Sequence, residues 1–267
     1  MFEDPAFLKY FQAVDEAAGF RLPKAASDRF QPIRDLFKTD PIPEVISHLH
    51  NDQDPDDFHY RRLRRKILDN VQHGLAASYY HLSNIRTIET RLHEAVRLLA
   101  GTDMSNTGIA GGNTARLDFE FEAFHFALKR TLDYAAGSVS AFFKDSAGRF
   151  RKLSETIASQ KPNDLALQIS KVATELREEL EDIIGEGQEK SVRDIIAHDR
   201  KASAGTFNVS GMMRDSAGGS LWGGEYQLRT PFEATAVRPL ELTEFLEERL
   251  VRVENAIFRL YSELGLL

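Results

Sequence analysis

The stretch from Tyr60 to Ala100 constrains this chain more than any other. It contains no proline, and Leu63, Ile67, Val71, Leu75, Leu82, Ile85, Leu92, Val96 and Leu99 recur along it at intervals of three, four or seven residues. That spacing lays one apolar stripe along an α-helix and predicts a single long helix. At 1.5 Å per residue it would reach roughly 60 Å, long for a globular domain, so a break near Gly74 or a protruding end is expected. The run 101–114, GTDMSNTGIAGGNT, then reads as a flexible loop. From Arg116 to Lys144 the helical pattern resumes through Phe121, Phe124, Leu128, Leu132, Ala135, Val139 and Phe142, and this second helix is expected to pair antiparallel with the first.

The remaining segments extend that reading. Asp4-Pro5 caps a first helix of about fifteen residues that Gly19 closes. Pro23, Pro32, Pro41, Pro43 and Pro55 break Phe20 to Phe58 into short helices and loops covering the bundle. A short helix spans Arg151 to Ser159. Asn163 is the expected N-cap of a helix running to Ile184, with Gly185 at its exit, and another helix begins near Glu189. Between Ala204 and Val237 the composition changes, and Phe207, Val209, Leu221, Trp222, Tyr226 and Leu228 suggest two or three short strands whose aromatics pack on the bundle. In the last helix Leu246, Leu250, Val253, Ile257, Leu260 and Leu264 form a seam, either core or dimer contact. The expected fold class is all-α: an antiparallel helical bundle with a small β-hairpin inserted between the last helices. One domain is expected, with N-terminal helices and loops over 1–58, a core bundle over 60–202, the β-rich insertion over 203–238 and a C-terminal helix over 240–267.

Composition narrows the function. With 267 residues and 42% hydrophobic content the chain can bury a full core, which excludes overall disorder. The 34 lysines and arginines against 41 aspartates and glutamates give a net charge of −7, so any nucleic-acid contact must be local. The absence of cysteine removes disulfides, Cys-ligated metal centres and thiol nucleophiles. The first residues match neither a signal peptide nor a membrane span, and a cytoplasmic protein with no membrane contact is expected.

One short motif points to chemistry. Ser191-Val-Arg-Asp-Ile-Ile-Ala-His-Asp-Arg200 places four residues between Arg193 and His198, after a loop that ends a helix. An imidazole can act as general acid or base near neutral pH, and a guanidinium fork suits phosphate. Five helical positions turn through about 140°, so the two side chains do not share one face. The segment RDIIAH resembles the R-x4-6-H signature of the HEPN superfamily (higher eukaryotes and prokaryotes nucleotide-binding), in which a polar residue such as Asp194 commonly follows the arginine. The stretch FEFEAFHFALKRTLDYAAG, Phe119 to Gly137, is similar to the long helix before the motif in bacterial HEPN-like proteins, and the resemblance covers roughly Tyr60 to Arg200.

The resemblance implies a homodimer in which two motifs line one cleft, and a metal-independent endoribonuclease needing no cofactor, with Arg193, His198 and Asp194 as catalytic residues. Asp133 or Glu122 could assist His198. Arg200, Lys201, Arg61 and Arg65 are the expected substrate contacts. Toxin–antitoxin or phage-defence settings would suit such an activity. The alternative is a non-catalytic HEPN-like binding or assembly module that holds a nucleotide or another protein, with Arg193 and His198 a structural pair at a helix end.

Other constellations weigh less. His48-x-His50 with Asp52, Asp54, Asp56, Asp57 and His59 invites a metal, but the spacing departs from a calcium loop at Asp57 and Leu63, and a solvated loop is the expectation. Glu122-x-x-His125 has di-iron spacing without the second copy such a bundle needs, so His125 is expected on a polar or partly buried face. Arg61-Arg62-Leu63-Arg64-Arg65-Lys66 could hold an RNA backbone or simply form a solvated face. Gly108-Ile-Ala-Gly-Gly112 lacks the phosphate-loop lysine. GGSLWGG misses the nucleophile elbow by one residue.

Overall fold

A computed structural model of the chain describes residues 5–51, 53–54, 57–97, 108–110, 115–146, 148–159, 163–185, 206–213, 220–227 and 242–267. In chain order the elements are α1 (Pro5–Ala18), α2 (Lys24–Arg29), α3 (Gln31–Leu36), α4 (Glu44–Ser47), α5 (Phe58–Arg65), a π-helical turn (Lys66–Val71) and α6 (Gln72–Arg97). There follow β1 (Gly108–Ala110), α7 (Ala115–Phe142), a 3-10 turn (Phe150–Lys152), α8 (Leu153–Ala158), α9 (Asp164–Glu179) and α10 (Glu181–Ile184). The strands β2 (Thr206–Met213) and β3 (Ser220–Gln227) precede the last helix, α11 (Leu242–Glu263). No described helix is long and apolar enough to cross a membrane.

The long apolar stripe does fold as helix from Phe58 to Arg97, and its irregularity is the π-helical turn at Lys66–Val71, just before Gly74. A π turn adds a residue to the helical ladder and re-phases the stripe, so Leu63, Ile67, Val71, Leu75, Leu82 and Ile85 all stay buried on one side. Against this helix lies α7, antiparallel: Lys66 meets Gly137, Gly74 meets Thr131 and His81 meets Glu120. At Gly74 the helices come so close that a Cβ would sit 2.5 Å from Thr131 Oγ1 and 3.1 Å from Thr131 Cα. Only glycine fits this crossing.

Helix α11 packs on α6, α7 and α9. Its Leu246, Leu250, Val253, Ile257, Leu260 and Leu264 are buried within the chain, so the C-terminal seam is core. Its start is capped from outside. The buried Glu89 carboxylate of α6 accepts from Leu242 N at 2.8 Å, from Thr243 N at 3.1 Å and from the Thr243 hydroxyl. A carboxylate here satisfies orphan donors and complements the helix dipole. Further along, Tyr79 donates to Glu254 at 3.0 Å, and burial raises the pKa of both groups.

Asn163 caps α9, accepting from Ala166 N at 2.6 Å, and Gly185 exits α10 with φ 75°. The segment expected as one helix is divided at Leu180, where α9 ends and α10 begins.

The expected fold class needs correction. A free-standing β-hairpin inserted between the last helices, on an otherwise all-α chain, is not what forms. Strands β2 and β3 belong to a three-stranded antiparallel sheet of order β1-β2-β3, and β1 comes from the glycine-rich run between α6 and α7. Gly108 pairs with Ser210 and Ala110 with Asn208, so residues read as flexible connection are a strand. The pairing is long-range in sequence, and three residues among glycines carry no alternation that would announce it. The described chain is otherwise mostly helical.

Candidate anion-binding cleft

A cleft of about 900 Å³ opens between α6, α7, the turn after α7 and the end of α10. Small residues make room for it. Gly74 and Ala77 on α6 face Ala123 and Ala127 on α7, where larger side chains would fill the groove.

Around this floor the cations gather. Lys129 and Arg130 reach it from α7, and Arg149 and Arg151 from the 3-10 turn. The turn is held by its middle residue: Phe150 is 2% exposed, and its backbone N–H donates to Asp133 Oδ1 of α7 at 2.9 Å. Anchoring Phe150 inward leaves both flanking arginines exposed on the cleft side. Lys129 Nζ donates to Ile184 O at 3.2 Å, tying α10 to the same wall, and the Arg130 guanidinium lies 5.1 Å from the Tyr134 ring centre. Four cations against the one lining carboxylate, Asp133, give the cleft a charge of +3 with its histidines neutral, on a chain of −7. Phe126, 39% exposed, adds an aromatic face.

Two histidines of α6 line the cleft, His73 and His81. His81 Nδ1 lies 2.8 Å from Glu120 Oε2, while Asn84 Nδ2 donates to Glu120 Oε1 at 3.1 Å. A carboxylate oxygen accepts, so His81 Nδ1 is the donor of this pair.

No sequence-based catalytic or substrate-contact residue that the structure describes lines the cleft. Arg193, Asp194, His198, Arg200 and Lys201 are outside the described residues. Arg61 and Arg65 are exposed on α5 and do not line the cleft. Asp133, considered as a helper for His198, accepts from Phe150 instead, and Glu122 is half-buried on α7. His48 Nε2 lies 2.9 Å from Phe142 O, and His50 Nδ1 lies 2.8 Å from Asp57 Oδ2, so the two histidines serve different elements. No group of three metal-ligating side chains occurs among the described residues.

His125 is not on a polar face. It is 3% exposed between Phe121 and Phe124, its Nδ1 sits 2.9 Å from Phe121 O, and burial, reinforced by the Arg249 charge, pushes its pKa from the ordinary 6.5 down to about 3. Burial likewise lowers the Arg249 pKa to about 10, although Arg249 pairs with Asp182 at 2.6 Å.

Comparison with known proteins finds no matching family model, no matching curated protein and no matching solved structure. The HEPN resemblance therefore rests on the RDIIAH and Phe119–Gly137 segments alone. Sequence reasoning missed Lys129, Arg130, Arg149, Arg151 and the His81–Glu120 pair. The alternation Arg149-Phe150-Arg151, a large apolar residue between two cations, was the available signal for two arginines sharing a face.

Proposed function

We propose that this protein is a nucleotide-binding helical module whose ligand sits in the α6–α7 cleft. The observation that carries the reading is the convergence of Lys129, Arg130, Arg149 and Arg151 on one groove of an acidic chain. Such a local reversal of charge selects an anion. Arginine forks match phosphate oxygens in a way that lysine alone does not. A volume of about 900 Å³ suits a nucleotide-sized ligand, and the exposed ring of Phe126 offers a base a surface to stack on.

Cleavage of RNA by Arg193 and His198, and the homodimer, are what the HEPN resemblance implies; the ligand-binding reading rests on the described cleft residues alone. The test is calorimetric titration of the full chain with ATP and with adenosine. ATP is expected to bind and adenosine to bind far more weakly, with ATP affinity falling as salt is raised. Equal binding of the two, or none of ATP, would refute the reading.

A further inference from the structure

We propose that α1 is a docking helix whose apolar face seats on the α7 wall of the cleft in a second copy of this chain, the two copies exchanging helices reciprocally. The first observation is the exposure of α1. Lys9, Tyr10 and every residue from Gln12 to Ala18 are exposed, and no α1 residue is among those lining the chain's own cleft. At about 100° per residue, positions 7, 10, 11, 14, 17 and 18, all apolar, fall within an arc of about 120°. Lys9, Gln12 and Glu16 lie on the other side. A helix of 14 residues is marginal in water by itself, so this face calls for a surface to pack on.

The second observation is a surface of matching pattern. On α7, Phe119, Ala123, Phe126 and Arg130 are spaced four, three and four residues apart, and Phe119 is 63% exposed and Phe126 39%. Ala123, Phe126 and Arg130 line the cleft, and Phe119 extends the stripe by one turn. Positions 7, 11, 14 and 18 of α1 repeat the same spacing. Laid parallel, the two helices set position 11 opposite the small Ala123 and Val14 against Phe126. The length of α1, about 21 Å, equals the run from Phe119 to Asp133.

Charge fixes the direction and the class of partner. Parallel docking brings Asp15, Glu16 and the carbonyl end of α1, whose last turn holds no basic residue, towards Arg130, Arg149 and Arg151. The reverse direction would set that end against Asp118 and Glu120. With Asp15 and Glu16 against the single Lys9, α1 lacks the basic face that an anionic lipid surface selects. This chain carries both the helix and the groove, so two copies close the exchange around a twofold axis with two identical contacts. Docking covers Phe126 and Arg130. On the nucleotide-binding reading, on which this last step rests, the second copy's α1 and the nucleotide compete for the cleft.

The chain has no cysteine, so introduced thiols report this contact cleanly. Sedimentation of the full chain is expected to show a dimer that dissociates on Val14→Glu and on Phe126→Glu, with the helical circular dichroism of the bundle kept. Under mild oxidation, Val14→Cys mixed with Phe126→Cys should give a covalent dimer that neither variant gives alone, and saturating ATP should suppress it. A wild type that sediments as a monomer at every concentration overturns the proposal. So does a covalent dimer from Val14→Cys alone, which pairs α1 with α1, or a disulfide closed within the Val14→Cys/Phe126→Cys monomer, which lays α1 over its own cleft. Binding of the chain to phosphatidylglycerol vesicles that is lost in Val14→Glu gives α1 to a lipid surface and overturns it as well. Cross-linking undiminished by bound ATP overturns the competition, whereas cross-linking by a chain that binds no ATP overturns the nucleotide reading and leaves the helix exchange standing.

Discussion

Acid should destabilise this protein through His125, by an amount that the structure sets. In the folded chain the ring stays neutral down to about pH 3, whereas in the unfolded chain it takes a proton near the ordinary 6.5. The unfolded state therefore binds more protons throughout that interval, and stability falls as pH falls through it. The stabilisation is complete above the unfolded value and is lost progressively between about 6.5 and 3. At about 1.4 kcal/mol per pH unit, lowering the pH from 7.5 to 5 should cost ~2 kcal/mol from this group alone. The cause is burial against Phe121 and Phe124, with the Arg249 charge adding to it and the Phe121 carbonyl and Asp182 opposing it. Urea unfolding of wild type and His125→Leu at both pH values isolates the term, because the variant keeps every other titrating group. Wild type should lose ~2 kcal/mol more than the variant over that range. Equal losses in the two proteins would refute the assignment of His125 as a buried neutral base.

Three further outcomes follow from the packing. Gly74→Ala should destabilise by about 1–3 kcal/mol despite alanine's better helix propensity, since its Cβ meets Thr131, and Gly74→Ala/Thr131→Ala should recover part of the loss in thermal melts. Glu89→Ala should cost about 2 kcal/mol by denaturant titration, because the first donors of α11 lose their acceptor, with Glu89→Gln intermediate. Tyr261→Phe should cost about 1 kcal/mol, since the buried hydroxyl exchanges a 2.8 Å hydrogen bond with Ser138.

What could be read from the sequence follows the range of each interaction. The long helices, the Asn163 cap and the Gly185 exit are set within one or two turns of chain, and there local pattern was enough. The π turn arises where an apolar stripe has to be re-phased against a partner helix, so periodicity announced an irregularity near Gly74 and misplaced it by a few residues. The β1–β2 pairing joins residues about a hundred positions apart, which no local pattern specifies. The cleft was hidden for the same reason. Lys129, Arg130, Arg149 and Arg151 form no motif along the chain, and a buried Phe150 and its bond to Asp133 bring the two pairs to one groove. The dense run Arg61 to Lys66 drew attention because its charges are adjacent in sequence, yet Arg61 and Arg65 do not line the groove.

The most direct measurement of the cleft's role is the affinity of the full chain for ATP before and after Arg149→Gln/Arg151→Gln. Both side chains are exposed, so their replacement should leave the melting temperature within a degree or two of wild type. Loss of two charge-assisted phosphate contacts should raise Kd by ~100-fold. An unchanged Kd in the folded double variant would contradict the placement of the ligand phosphates between α7 and the Arg149–Arg151 turn.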